Sequence, residues 1–218
     1  CVDLDGNEIR GYRHWSENQL KAQVKHCMNL HLKLSGNTSA KAVDEQNQER
    51  ICFYFYHDPV FTPCFDEDGL RHYLDWLCQK YSLEQLNELY DLTKNSFDSL
   101  EWEDIWVYPR RGGERWDVPT KEDYELGGSV MLKYADNQRY KTDVMSRMFD
   151  QLCQRLRARD KRFFLYSSIS QWKIFFNDCQ HAWFWDASRR SVDIWKAGNF
   201  LDCPSFTTVA ADCYSQPD

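Results

Sequence analysis

The chain has 218 residues, of which 42% are hydrophobic and 16% aromatic, and this composition excludes an intrinsically disordered protein. The formal net charge of -7 disfavours nucleic acid or an anionic membrane surface as a general ligand. No segment approaches the roughly 18 consecutive apolar residues of a membrane span. We therefore expect one compact domain over residues 1–218, with no membrane span and no nucleic-acid partner.

In chain order, the first half of the sequence has the apolar periodicity of helices around one buried strand. The helices begin at residues that commonly cap helix N-termini. The predicted elements are a helix capped by Ser16 and ended by Ser35-Gly36-Asn37, a loop over 39–50, a strand over 51–56, a helix over 69–81 and a helix with a Ser82–Gln85 capping box.

The second half predicts strands that alternate with helices, an order typical of an α/β protein with a parallel sheet. The turn-rich segment 109–119 separates its first two strands. The predicted elements are strands over 104–108 and 129–134, a long helix over about 139–159, a strand over 162–167, a helix over 170–179 and a strand over 181–185.

Nine cysteines are spread along the chain without the C-x-x-C pairs of a structural zinc site, so we predict disulfides and no metal. Asn37-Thr38-Ser39 is an N-glycosylation sequon in a Gly- and Ser-rich stretch. Both features predict a secreted glycoprotein in a mature form that begins near Cys1, with a bacterial lipoprotein as the alternative. Because nine is odd, one thiol is free, pairs between chains or lacks its partner.

Two groups of polar residues are candidates for chemistry. Tyr166, Ser167 and Ser168 follow a predicted strand, where α/β proteins place ligands, although a serine there can also cap the next helix. No G-x-S-x-G motif supports a serine hydrolase. Carboxylates near predicted strands could serve glycoside hydrolysis, but most acidic residues of such a chain are solvated; the candidates are Asp3, Asp5, Glu101, Glu103 and Asp104.

The segment "FFLYSSISQWKIFFNDCQHAWFWDA" over 163–187 resembles the lysozymes of glycoside hydrolase family 25, particularly their invertebrate-type branch. There, a strand ending in Ile-Tyr-Ser/Thr leads to a Trp-bearing helix and then to an aromatic strand. "EWEDIWVYPRRGGERWDVP" over 101–119 and "VDLD" over 2–5 are also similar to segments of that family. The resemblance is best over residues 101–186.

This resemblance implies a compact, irregular (β/α) barrel, disulfide-stapled, with a sugar groove at the carboxyl ends of its strands. Trp106 stands where the family has its general-acid Glu, and an indole cannot donate that proton. The resemblance thus implies weak hydrolysis, or recognition alone, of amino-sugar glycans without a cofactor. Its implied catalytic residues are Asp3, Asp5 and Asp104, and its implied ligand-binding residues are Tyr166, Trp106, Trp183 and Trp185.

The alternative function is that of a catalytically inactive extracellular binding or effector protein that contacts a protein partner. The missing general-acid Glu favours this alternative, whereas the Tyr-Ser-Ser segment and the aromatic residues favour a retained groove.

Overall fold

A computed structural model describes residues 1–2, 6–8, 13–36, 41–57, 61, 63–107, 125, 127–169 and 194–206. The chain divides into two compact units. We call Cys1–Arg13 with Phe61–Val144 the helical unit, and His14–Val60 with Met145–Asp218 the sheet unit. The expectation of a single domain stays a prediction.

The helical unit contains helices α2 to α4 and the first half of a long helix, α5. Asp66 caps α2 by accepting a hydrogen bond from Gly69 N–H, and Ser82 forms the predicted capping box with Gln85. Cys1 forms a disulfide with Cys64. The elements are α2 (Glu67–Cys78), α3 (Leu83–Tyr90), a short 3-10 helix (Phe97–Ser99), α4 (Trp102–Ile105) and α5 (Gly128–Arg159).

The sheet unit contains a four-stranded sheet in the order β1-β2-β3-β4. The pair β1–β2 is antiparallel, whereas β2–β3 and β3–β4 are parallel. The second half of α5 also belongs to this unit. Its other elements are α1 (Glu17–Ser35), β1 (Lys41–Val43), β2 (Glu49–His57), β3 (Phe163–Ile169), α6 (Ile194–Phe200) and β4 (Cys203–Phe206).

Alternation along β3 separates the two faces of this sheet. Phe163 and Leu165 are buried, whereas Phe164 and Tyr166 on the opposite face are half-buried. The His31 ring of α1 lies 4.0 Å from the Phe163 ring, centroid to centroid, and Phe53 of β2 meets Phe163 edge-on at 5.5 Å. Helix α1 therefore packs on the buried face of the sheet.

The predicted (β/α) barrel is wrong. The described strands form an open sheet with β1 and β4 as its outer strands, and helix predominates over strand in the described ranges. Two segments expected to supply barrel strands are helical: residues 104–105 belong to α4, and residues 129–134 belong to α5.

The remaining elements follow the sequence patterns to different degrees. Helices α1 to α3 and strands β2 and β3 lie where they were predicted, within a few residues. Helix α5 begins at Gly128 rather than near residue 139, and β1 lies within the segment predicted to be a loop. The predicted helix over 170–179 and strand over 181–185 fall outside the described residues. In the described part of the chain, no helix has the length and apolarity to cross a membrane.

Candidate functional site

Three parallel strands of the sheet unit bring polar residues to one edge. Because parallel strands run in one direction, the carboxyl ends of β2, β3 and β4 meet there, the position at which α/β sheets bind ligands. Ser168 of β3 is in register with His57 of β2 on one side and with Ser205 of β4 on the other. We call His57, Ser168, Ser205 and the nearby Tyr166 the carboxyl edge.

Strand β2 is irregular where it reaches this edge. Its register against β3 shifts between Tyr54 and Tyr56, so that β2 carries one extra residue there. A bulge bends the strand locally, and bulges are frequent beside functional sites. The last residues of β2 are therefore displaced from a regular ladder at the point where the three strands end.

Tyr166 lies on the half-buried face of β3, in register with Tyr54 and with Cys203 of β4. The sequence placed the end of this strand at Ser167, but β3 continues to Ile169. Ser168 therefore lies within the strand, next to its carboxyl end. Tyr166 and Ser168 are two residues apart on β3, so the residues in register with Tyr166 precede those in register with Ser168 on both neighbouring strands.

Asp104, a candidate catalytic carboxylate, lies in the helical unit and has strong local partners. Its Oδ2 accepts a hydrogen bond from Glu101 N–H at 2.9 Å and pairs with Lys94 Nζ at 2.6 Å. Partial burial disfavours the charged carboxylate, but the Lys94 and Glu101 contacts outweigh it and hold the pKa of Asp104 below its usual range. This carboxylate closes the first turn of α4 and is ionised at neutral pH.

Trp106 follows α4 and is only 2% exposed. Its ring meets the rings of Tyr73 and Trp102 edge-on, with centroids 5.3 Å and 5.5 Å away, and Lys141 Nζ lies 5.5 Å from its centroid. The indole N–H is buried, and no hydrogen-bond acceptor was found for it in the described structure. Trp106 therefore belongs to the aromatic core of the helical unit.

A buried polar cluster in the helical unit was missed by sequence reasoning. The Tyr81 and Tyr90 hydroxyls each donate to Asp136 Oδ2 at 2.9 Å, and Arg139 donates to Asp136 Oδ1 at 3.0 Å. Burial, followed by smaller charge effects that include Asp136, raises the pKa of Tyr90, so this hydroxyl stays protonated as a donor. The sequence predicted that α5 begins near residue 139, which left Asp136 outside the helix. Even with the correct start at Gly128, a helical pattern would not identify the hydrogen-bond partners of Asp136.

Asn137 belongs to the same polar cluster and connects three segments. Its side-chain amide donates to the Tyr73 hydroxyl at 2.8 Å and to the Ile105 carbonyl at 3.0 Å, while its oxygen accepts from Val107 N–H at 2.9 Å. These hydrogen bonds join α2, the end of α4 and α5. We assign the cluster a structural role.

The predicted site residues lie in different parts of the chain. Asp3, Asp5, Trp183, Trp185 and the sequon residue Asn37 lie outside the described residues. Of the predicted residues that are described, Asp104 and Trp106 belong to the helical unit and Tyr166 belongs to the sheet unit. Among the residues that the structure describes, no group of three or more His, Cys, Asp and Glu side chains could hold a metal ion.

Comparison with known proteins gives a similarity in fold without a family. No family model and no curated protein matches the chain. The crystal structure of the cold-adapted β-galactosidase from Rahnella sp. R3 is similar over 93% of this chain, with a TM-score of 0.53 and 17% sequence identity. The match covers 25% of the β-galactosidase chain. This chain thus has the fold of one part of a much larger protein.

Proposed function

We propose that this chain recognises a glycan at the carboxyl edge and does not hydrolyse it. The observation that carries the proposal is the register row of His57, Ser168 and Ser205, next to Tyr166, at the ends of three parallel strands. Hydroxyl and imidazole groups supply both donors and acceptors for sugar hydroxyls, and an aromatic ring supplies an apolar surface for the sugar ring. A small number of polar groups beside an aromatic side chain is common in small-ligand sites.

The partners of Asp104 favour recognition over hydrolysis. A general acid must hold a proton near neutral pH, whereas the pKa of Asp104 is lowered and its carboxylate is engaged by Lys94 and Glu101. Trp106, which stands where the resembling family has a general-acid Glu, is buried among aromatic rings, and its indole N–H is far too weak an acid to protonate a leaving group. Both residues have structural partners, which supports a binding domain.

Two further observations support a carbohydrate-related ligand. The segment 163–187 resembles family 25 lysozymes, which leads us to propose amino-sugar glycans as the ligand class. The solved structure with a similar fold is named a β-galactosidase, so β-galactosides are the second class to test. The Cys1–Cys64 disulfide and the sequon at Asn37 support an extracellular, glycosylated protein.

The proposal is tested by titrating a chitin tetrasaccharide and a galacto-oligosaccharide into the protein and measuring the heat of binding. Tyr166→Ala should weaken binding by about tenfold, a loss of about 1.4 kcal/mol, because it removes the aromatic surface of the carboxyl edge. Phe164→Ala is the matched control, since Phe164 lies on the same face of β3 but farther from the edge. Equal affinities of wild-type protein and Tyr166→Ala, with both variants folded, would reject the carboxyl edge as the site.

A protein partner is the second candidate function, and exposed apolar side chains in the sheet unit favour it. Leu32 of α1 is 67% exposed and Val43 of the outer strand β1 is 64% exposed. The simplest partner to test is a second copy of the chain, by sedimentation over a range of concentrations. Association that Leu32→Lys abolishes would support this function, and a monomer at every concentration would reject self-association.

A further inference from the structure

Two cysteines of the sheet unit lie within its core. Cys27 of α1 is 6% exposed and Cys153 of α5 is fully buried. Neither is in a disulfide in the described structure. Both follow the core-facing pattern of their helices, because Leu20 of α1 and the neighbours Leu152 and Leu156 of α5 are buried as well.

Contacts also join α1 to the last turns of α5 and to the residue that follows α5. Glu17 near the start of α1 accepts two hydrogen bonds from the Arg155 guanidinium, at 2.9 Å and 2.7 Å. Near the end of α1, His31 Nε2 lies 2.9 Å from Asp160 Oδ2, just beyond the last residue of α5. Cys27 lies between Glu17 and His31 in the sequence of α1 and, one turn before His31, is buried like it.

Burial in the same unit also affects the acidity of the two thiols. Burial is the main cause that raises the pKa of Cys153 to about 12, and Cys27 is among the smaller contributors to that rise. Burial likewise raises the pKa of Cys27 to about 11. The contribution of Cys27 to the pKa of Cys153 agrees with the placement of both thiols in the core of the sheet unit.

We propose that Cys27 and Cys153 form a disulfide that joins α1 to α5 when the protein folds in an oxidising environment. The Cys1–Cys64 disulfide already joins two segments of the helical unit, and the second bond would do the same in the sheet unit. The proposal does not depend on the glycan ligand. It assigns two of the nine cysteines, whose pairing the sequence left open.

The bond forms by thiol–disulfide exchange with a low-molecular-weight disulfide such as oxidised glutathione. One cysteine thiolate attacks the oxidant, displaces one thiol and forms a mixed disulfide, which the second thiolate then resolves by displacing the other thiol. The two cysteines lose two protons and two electrons, and the oxidant becomes two thiols.

The test is a peptide map of wild-type protein refolded with reduced and oxidised glutathione, alkylated in denaturant without reductant and digested with trypsin. Cys27 and Cys153 fall in the separate tryptic peptides 26–33 and 148–155, each with one cysteine. We expect these two peptides to be linked, with a mass two hydrogens below their sum, and to separate on reduction. If both are alkylated without reductant, or if either is linked to a different cysteine, the proposal is wrong.

Two variants sharpen the result. Cys27→Ser should eliminate the linked peptide and make Cys153 fully reactive toward the alkylating agent in denaturant. Cys78→Ser is the matched control, because Cys78 is an exposed cysteine of the helical unit, and it should leave the linked peptide unchanged. Loss of the link in Cys78→Ser would contradict the assignment.

Discussion

At the scale of single residues, Asp104 illustrates how local contacts decide the role of a carboxylate. We expect Asp104→Ala to lower the free energy of unfolding by about 1 kcal/mol, because it removes a helix-terminus hydrogen bond and a partly exposed ion pair with Lys94. Urea unfolding measures this loss. Glu103→Ala, at an exposed position of the same helical turn, should change the stability by less than about 0.5 kcal/mol. Equal stability of the two variants would contradict the structural role of Asp104.

His14 provides a prediction about pH. Burial lowers its pKa to about 4, from a usual value near 6.5, so the folded protein binds fewer protons than the unfolded chain between these pH values. The stability contributed by neutral His14 is therefore complete above about pH 6.5 and falls by about 3 kcal/mol as the pH drops to about 4. Denaturant unfolding from pH 4 to 7 measures this slope.

The control for this prediction compares two histidines. His14→Leu should have a shallower dependence of stability on pH than the wild-type protein. His26→Leu, which changes an exposed histidine of α1, should keep the wild-type slope. A wild-type slope in His14→Leu would mean that carboxylates alone cause the loss of stability in acid.

At the scale of the elements, Gly69 in the first turn of α2 allows a close backbone approach. A Cβ atom at this position would collide with the backbone carbonyl of Cys64, the residue that holds the Cys1 disulfide. We expect Gly69→Ala to lower the free energy of unfolding by about 3 kcal/mol, the upper part of the range for overpacking. Thermal or urea unfolding measures the change.

Gly198 is the matched control for Gly69. It also lies in a helix, α6, but a Cβ atom there would have no neighbour within 4 Å. Gly198→Ala should leave stability unchanged or raise it by up to about 1 kcal/mol, because alanine favours helix. If Gly69→Ala were tolerated as well as Gly198→Ala, the close approach of α2 to Cys64 would be incorrect.

Long apolar periods with caps predicted helices α1 to α3, and two buried runs predicted β2 and β3, whereas other short segments were assigned wrongly. The Ser82–Gln85 box and the periodic face of α1 identify helices because several signals agree. Residues 129–134 have apolar and aromatic residues that also suit a strand, but they belong to a helix that continues to Arg159. Strand β1 lies in a polar hairpin whose turn depends on Asp44, which accepts hydrogen bonds from two backbone N–H groups, and on Asn47 with a φ of 63°.

The candidate site was predictable only in part. The position of Tyr166 and Ser168 near the end of a strand follows from the buried run before them. Their neighbours His57 and Ser205 come from strands that are distant in sequence, and only the parallel pairing brings them into register. The partners of Asp104 were also hidden, because Lys94 lies in a connection without a periodic pattern.

At the scale of the whole molecule, the Cys1–Cys64 disulfide closes a loop with a sequence separation of 63 residues. We expect Cys64→Ser to lower the free energy of unfolding by about 4 kcal/mol, because the unfolded chain regains the entropy of that loop. Urea unfolding of the variant and of wild-type protein, both without reductant, measures the loss. An unchanged unfolding midpoint would show that the disulfide does not constrain the chain.

Recognition of a glycan without cleavage is tested most directly by one titration followed by product analysis. A chitin tetrasaccharide is titrated into the protein in a calorimeter, and the contents are then separated by chromatography. We predict saturable binding and recovery of the intact tetrasaccharide. Shorter oligosaccharides in the recovered sample would contradict the proposal, and they would establish hydrolysis if an Asp3→Asn, Asp5→Asn variant did not produce them. The absence of binding to this sugar and to a galacto-oligosaccharide would contradict recognition itself.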